Sequence, residues 1–420
     1  MDGPLAGVRI IDLTTMISGP FATMMLADQG AEVIKVEVPG SGDHVRSLGY
    51  RRNGLSAMFL NVNRNKRSLT INLKNPAGLE LFRKLAATAD IVVQNFRPGV
   101  AERLGVGEAQ LRAELPKLIY VSISGFGAKG PYAQKPTYDP VIQALSGMTS
   151  IQAGSDDAHP RLVRTILPDK LAAVTTAQAI AAALYAREKT GTGQHVTLSM
   201  LDAMLAFLWA SDMGAHTFAD EAGSKDTAAS FIDLIYETKN GHMTVSVMNN
   251  KEWAALVATL EKPEWLNDPR FRTPALRDQH VNERLTLIQA ELRHQTTDTW
   301  LERFEAAGVP CAPALTRRQV VDHPQVIASG TIVEFDHPEA GRLRQARAAA
   351  QFAATPTSLR TGAPRLGEHN YHILGELGLS AQAIDRLRAH NVIGSEEPLP
   401  ALYDELRLSG TYPLPATQQR

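Results

Sequence analysis

Asp169 is the one carboxylate between Asp157 and Glu188, and it opens an alanine-rich run in which Leu171, Val174, Ile180 and Leu184 recur at helical spacing. Pro168 precedes it, and Gly191 follows the cationic last turn of Arg187 and Lys189. The pattern predicts a buried helix with Asp169 as its N-cap. Unpaired N–H groups and the helix dipole favour the ionised form of a carboxylate placed there, which suits a nucleophile. Asp is also among the commonest N-caps, and most such residues do no chemistry. The rest of the chain has to separate these two readings.

Cations come next. Lys66, Arg67 and Lys74 flank one apolar run of strand length, and Arg97 and Arg103 follow another. Singly, each reads as part of a solvated face. Together, at successive strand ends of one sheet, they make a place for a phosphate-bearing ligand. Asn95-Phe96 shares the second loop, where an aromatic ring either joins the core or stacks on a flat ring of the ligand.

Other chemistries fit less well. Gly125 to Gly130 has the G-x-G-x-x-G spacing, but Pro131-Tyr132 and a polar loop follow where a dinucleotide site needs a helix to open. A glycine loop shaping a pocket is the better reading. The 12 histidines are scattered with no pair at ligand spacing, so no metal site is expected, and no G-x-S-x-G elbow supports serine hydrolysis.

Length and composition bound the answer. A chain of 420 residues, 44% hydrophobic, calls for two domains. With 43 basic and 44 acidic residues and no basic stripe, nucleic acid is not an expected partner. Cys311 stands alone, which excludes an internal disulfide. The first residues carry no signal-peptide pattern and no apolar run is long enough to span a bilayer, so a cytoplasmic protein without a membrane anchor is expected.

Strand and helix signals alternate from Val8 to Ser122. Strands are predicted at Val8 to Leu13, Ala31 to Val38, Ser68 to Leu73, Asp90 to Gln94 and Leu118 to Ser122. Helices lie between them, one starting near Ser18 and ending by Gly30, and one capped by Asn75-Pro76. This predicts an α/β fold: a large Rossmann-like domain around a parallel sheet, with functional loops at the strands' carboxyl ends. Residues 1–218 form its first part, and 219–228 read as a linker. A smaller α+β domain is expected at 229–308, opening with strands Phe231 to Tyr236 and His242 to Val247 around Lys239-Asn240-Gly241, with helices near 250–261, 281–294 and 297–307. Residues 309–330 read as a return linker. Residues 331–395, with a strand near 330–335 and two helices, would complete the large domain ahead of a tail at 396–420.

Several motifs, in register along nearly the whole chain, resemble the family III CoA-transferases of CaiB/BaiF type. They include DLTTMISGPFATMMLADQGAEVIKVEVPGSGDHVR at 12–46, NVNRNKRSLTINLKNPAG at 61–78, VQNFRPGVAERLG at 93–105 and SISGFGAKGPYAQKPTYDPVIQALSG at 122–147. Asp169, KTGTGQHVTLSMLDA at 189–203, GVPCAPA at 308–314, HPQV at 323–326 and LGEHN at 366–370 continue the match. The resemblance implies an interlocked homodimer, a large domain built from both chain ends with the smaller one inserted, and substrates that are an acyl-CoA and a carboxylic acid. It implies that Asp169 is the nucleophile and that no cofactor is needed beyond the coenzyme A substrate. It also implies that Lys74, Asn95, Phe96, Arg97 and Arg103 contact CoA, that Ile71 and Leu73 line its adenine end, and that Thr15, Ile17, Tyr138 and Asp139 border the acyl site.

Departures from the family pattern narrow the expectation. Formyl-CoA/oxalate members carry His and Gln where this chain has Thr15 and Ile17, and a glycine run is absent after Val247. An α-methylacyl-CoA racemase is the alternative enzyme, but its histidine base is replaced by Thr137-Tyr138 ahead of Asp139. A CoA-ester-binding protein without catalysis is the other alternative, and retention of Asp169 with its helix speaks against it. Arg164 and Lys170 flank the nucleophile and suggest a dicarboxylate such as succinate as one substrate.

Overall fold

The computed structural model describes residues 3–219 and 234–394. The alternating pattern becomes a six-stranded sheet, parallel throughout. Its strands are β1 (Arg9–Asp12), β2 (Glu32–Glu37), β3 (Lys66–Thr70), β4 (Ile91–Gln94), β5 (Ile119–Ser124) and β6 (His195–Ser199). Their spatial order is β3-β2-β1-β4-β5-β6, the Rossmann arrangement. The order reverses between β1 and β4, so the loops after those two strands flank the crevice where such sheets receive ligands.

Side chains alternate between two covered faces. Ile11, Ile34, Val92 and Tyr120 meet Leu81, Phe82 and Leu85 of α1 (Pro76–Ala86) and the helices Asn370–Glu376 and Ala381–Ala389. On the other face, Ile10, Val33, Ile91 and Val121 meet the helix Ser18–Asp28 and the long helix Leu167–Thr190. Each fully buried Leu, Ile or Phe contributes roughly 1.5–3 kcal/mol. The long helix is alanine-rich and has no strong apolar face, so this packing rather than amphipathicity fixes it in place. Gly191 closes it at φ 72, as its spacing predicts. Only one side of it is buried, through Ala172, Ala173, Thr176, Ile180 and Ala183. Val174 and Tyr185 face outward, which corrects the expectation of a buried helix.

Asn75 caps α1 as expected, accepting the Ala77 N–H. The third strand is displaced from its predicted span: it begins at Lys66 and ends at Thr70, the stretch that pairs with β2, while Ile71 beyond it still packs into the same core as Leu69. β6 has no counterpart among the predicted strands. It is an edge strand with only Val196 and Leu198 turned partly inward, a weak apolar signal.

Two compact units divide the chain. One takes residues up to Thr149, then Arg161–Ser211, then Thr331 onward; the other takes Ser150–Pro160 and Asp212–Gly330. The first part of the large unit is therefore interrupted, where the sequence predicts an unbroken stretch to 218. The second unit has a three-stranded antiparallel sheet of Ile235–Glu237, His242–Val245 and Cys311–Pro313. Trp253, Phe271, Trp300 and Phe304 dominate its core. The hairpin turns at the expected place, while residues 231–233 of its predicted first strand, 220–228 of the linker and 396–420 of the tail lie outside the described residues. Cys311–Pro313, expected within a return linker, instead pairs with His242–Val245 and covers an open sheet edge. Ile332–His337 is a strand, but its partner is Gly341–Ala346 in a separate hairpin. Among the described residues, no helix is long and apolar enough to cross a membrane, and no three His, Cys, Asp or Glu converge as metal ligands.

Candidate active site

β1 ends at Asp12 and the next helix starts at Ser18, so residues 13–17 cross the carboxyl edge of the sheet beside the switch point. Beneath them the strand positions turn from apolar to charged, with Asp12, Lys35 and Lys66 almost wholly buried. Lys66 Nζ lies 2.9 Å from Asp12 Oδ2 and donates to the Pro20 carbonyl at 2.8 Å. Lys35 Nζ pairs with Asp43 at 2.9 Å and donates to the Thr14 carbonyl at 2.8 Å. Asp12 Oδ1 accepts the Thr14 N–H at 2.9 Å, and Asp43 Oδ1 accepts the Met16 N–H at 3.0 Å. Gly19 lets this turn close, since a Cβ there would sit 2.3 Å from Thr14 Cβ. Burial alone would raise the Asp12 carboxyl, but Lys66 and Lys35 outweigh it and hold it far below its usual range. Burial lowers Lys66 to about 8 despite Asp12.

Asp169 faces this loop. The long helix begins at Leu167, with Ile166 at the cap and no side-chain cap bond. Asp169 therefore sits inside the first turn and is not the N-cap that its sequence context predicts. Capping comes from Asp139, the first residue of the helix Asp139–Leu145 and only 3% exposed. Its Oδ2 accepts the Asp169 N–H at 3.2 Å, and its Oδ1 accepts from Gln143 Nε2 at 2.7 Å. Gln143 also clamps the incoming chain, accepting the Val163 N–H at 2.9 Å and donating to the Thr165 carbonyl at 3.2 Å.

Electrostatics correct the sequence reading further. Burial first, and the charge of Asp139 second, push the Asp169 carboxyl up to about 6, while the hydroxyl and N–H of Ser18 pull the other way. Helix-start stabilisation is thus outweighed by withdrawal from water next to a like charge. The group is still about nine-tenths ionised at pH 7, and it is more basic than an ordinary carboxylate. Such a group can attack an electrophilic carbon or take a proton.

The predicted site residues divide into three groups. Thr15, Asn95, Asp139 and Asp169 are joined through the one loop: Thr15 N–H donates to Asn95 Oδ1 at 2.9 Å, and Asn95 Nδ2 donates to the Thr15 carbonyl at 2.8 Å. Ile17 lies in an apolar cluster with Val45 and Phe59 and with the partly buried Ile166, so its side chain belongs to the core under the loop. Leu73 and Phe96 pack, half-buried, on one core that also swallows Ile71, leaving Ile71 no surface to line a ligand site. Lys74, Arg97 and Arg103 are exposed beyond the ends of β3 and β4 and form no ion pair among the described residues. Lys66 and Arg67 do not join them. Both lie at the start of β3: the Lys66 ammonium runs inward to Asp12 beneath the loop, whereas Arg67 pairs with Glu32 and Glu376 at the opposite end of the sheet. Tyr138 is 69% exposed, and Lys170 donates to the Thr165 hydroxyl at 2.7 Å. A cavity of about 900 Å³ is lined by Glu32, Arg67, His337 and Arg360 at that opposite end, and Asp169 is not among its lining residues.

Ser18 and the buried charges escape a reading of the sequence alone. Lys35 and Glu37, two apart inside an otherwise apolar strand, are the available signal for them.

The parallel α/β sheet thus carries a basic, partly dehydrated carboxylate, Asp169, beside its switch point. The model of CoA-transferase family III matches residues 5–370. The mouse succinyl-CoA:glutarate CoA-transferase is 34% identical over 94% of this chain and 91% of its own length. A succinate–glutarate CoA-transferase from Agrobacterium fabrum is 33% identical over 89% and 96%. A CAIB/BAIF family protein from Brucella suis superposes with a TM-score of 0.78 at 30% identity, covering 90% of this chain and 100% of that one. The chain belongs to the family III CoA-transferases, enzymes that move coenzyme A from an acyl-CoA thioester to a free carboxylic acid.

Proposed function

We propose that Asp169 carries the transfer covalently and that a dicarboxylate such as succinate or glutarate is one substrate. The observation behind this is the placement of Asp169, basic and partly dehydrated between Asp139 and Ser18. Its carboxylate attacks the thioester carbonyl carbon, the C–S bond breaks, and coenzyme A leaves as thiolate from a mixed anhydride. The thiolate then attacks the aspartyl carbonyl, releasing the donor acid and leaving an aspartyl-CoA thioester. The acceptor carboxylate displaces the thiolate to form a second anhydride. Attack of the thiolate on the acceptor's carbonyl carbon frees Asp169 and completes the new acyl-CoA.

Lys74, Arg97 and Arg103, cations at two strand ends with no ion pair among the described residues, are suited to the CoA phosphates, with Phe96 and Leu73 offering apolar surface beside them. Asn95, Thr15 and Asp139 belong to the framework of the acyl side. Relatives named for succinate and glutarate support the dicarboxylate choice, and the exposed Arg164 and Lys170 supply charge for the second carboxylate. No resident metal or redox cofactor takes part in these steps. The functional unit is an interlocked homodimer in the cytoplasm, with the smaller unit inserted between parts of the larger. Support for the dimer comes from the outward apolar side chains Val174, Tyr185, Phe207 and Trp209 on two helices that pack together. A screen of CoA donors against acceptor acids, read by mass spectrometry, tests the reading. Turnover restricted to uncharged monocarboxylates would remove the dicarboxylate assignment.

A further inference from the structure

Residues 14–20 are held more firmly than a surface turn requires. Buried ammonium groups take the carbonyls of Thr14 and Pro20, and buried carboxylates take the N–H groups of Thr14 and Met16. Met16 lies at φ 67, a left-handed conformation that costs a non-glycine residue energy and persists only where surroundings dictate it. Burying ion pairs is itself costly and seldom adds stability over an apolar core. A lattice of this kind under one loop points to a requirement for position. The group it positions is Ser18, 4% exposed, at the start of a helix that packs along the helix of Asp169. Ile17 and Ile166, one residue before Ser18 and three before Asp169, share an apolar cluster that fixes the two segments against each other.

We propose that Ser18 is a catalytic residue of the transfer, its hydroxyl and backbone N–H first orienting the Asp169 carboxylate and then stabilising the oxyanion at the aspartyl carbonyl. This rests on the reading of Asp169 as the acylated group. Negative charge reaches that oxygen twice per cycle, when thiolate attacks the first anhydride and when the acceptor attacks the aspartyl thioester. Attack of Asp169 on the substrate's carbonyl places charge on a different oxygen. Ser18 therefore acts on the middle steps, where a donor held in place beforehand is most effective.

The test compares Ser18→Ala and Ser18→Thr with the wild type by rapid quench and intact-protein mass spectrometry after mixing with succinyl-CoA, and by the pH profile of kcat/KM. Ser18→Ala is expected to lower kcat about 10- to 100-fold, slow the appearance of aspartyl-CoA, and move the acid limb to higher pH. Ser18→Thr, which keeps the hydroxyl, recovers most of the rate. An alanine variant with wild-type kinetics and an unmoved acid limb, or a threonine variant no better than alanine, overturns the role of Ser18 and leaves Asp169 in place. Absence of any Asp169 adduct in the wild type overturns both.

Discussion

Replacing Asp169 by Asn should stabilise the protein while abolishing turnover. In the folded chain the carboxyl is raised from 3.8 to about 6, chiefly by burial and then by Asp139. The folded state thus binds the proton more tightly than the unfolded chain. Below about pH 4 both states are protonated and the residue costs nothing. As pH rises from about 4 to about 6, the folded state must hold a charge it disfavours, and stability is lost. At about 1.4 kcal/mol per pH unit, the displacement amounts to roughly 3 kcal/mol, and partial exposure of the side chain brings the expectation to about 2. Urea unfolding of the two proteins at fixed concentration between pH 4 and pH 8 measures it. The curves should coincide near pH 4 and separate to a constant gap by pH 7, with the Asp169→Asn variant the more stable. A less stable Asn variant, or a gap independent of pH, would refute the claim that Asp169 is charged against its surroundings.

Asp139→Asn removes a like charge, so the acid limb of kcat/KM should move to lower pH while the rate at its plateau falls. An acid limb that stays in place would separate Asp139 from the nucleophile. Glu in place of Lys74, Arg97 or Arg103 should raise KM for acyl-CoA about 5- to 50-fold at low salt and less at high salt, with little change for an acyl-pantetheine. Equal effects on both thioesters would place these cations away from the phosphates. Asp12→Asn leaves Lys66 buried without its partner and should cost about 3–5 kcal/mol in urea unfolding. A loss below about 1 kcal/mol would show that the buried lattice is not held by that pair.

Strand and helix order was legible because the sheet is buried on both faces and its strands are short apolar runs set between capped helices. Asn75-Pro76 and Gly191 marked helix ends through backbone chemistry that depends on neighbours in sequence alone. Properties set by distant residues were hidden. Asp169 lost its capping role because Asp139, thirty positions away, already supplies the carboxylate at that helix start. Its raised pKa comes from burial, which no local pattern encodes. Lys66 and Arg67 looked like ligand cations by type, yet distant acidic partners take both, Asp12 the buried Lys66 and Glu32 with Glu376 the Arg67 guanidinium. Cys311–Pro313 carried no strand signal of its own and became one because a sheet edge was open to it.

Oxygen transfer to Asp169 is the most direct test of covalent catalysis. The enzyme is cycled with succinyl-CoA and glutarate labelled with oxygen-18 in its carboxylates, digested, and the peptide holding Asp169 is weighed. If the second anhydride forms and collapses at the acceptor carbonyl, Asp169 keeps an acceptor oxygen and the peptide gains two mass units per incorporated atom. Full turnover with an unlabelled Asp169 peptide would mean that coenzyme A passes between the acids without this side chain ever being acylated.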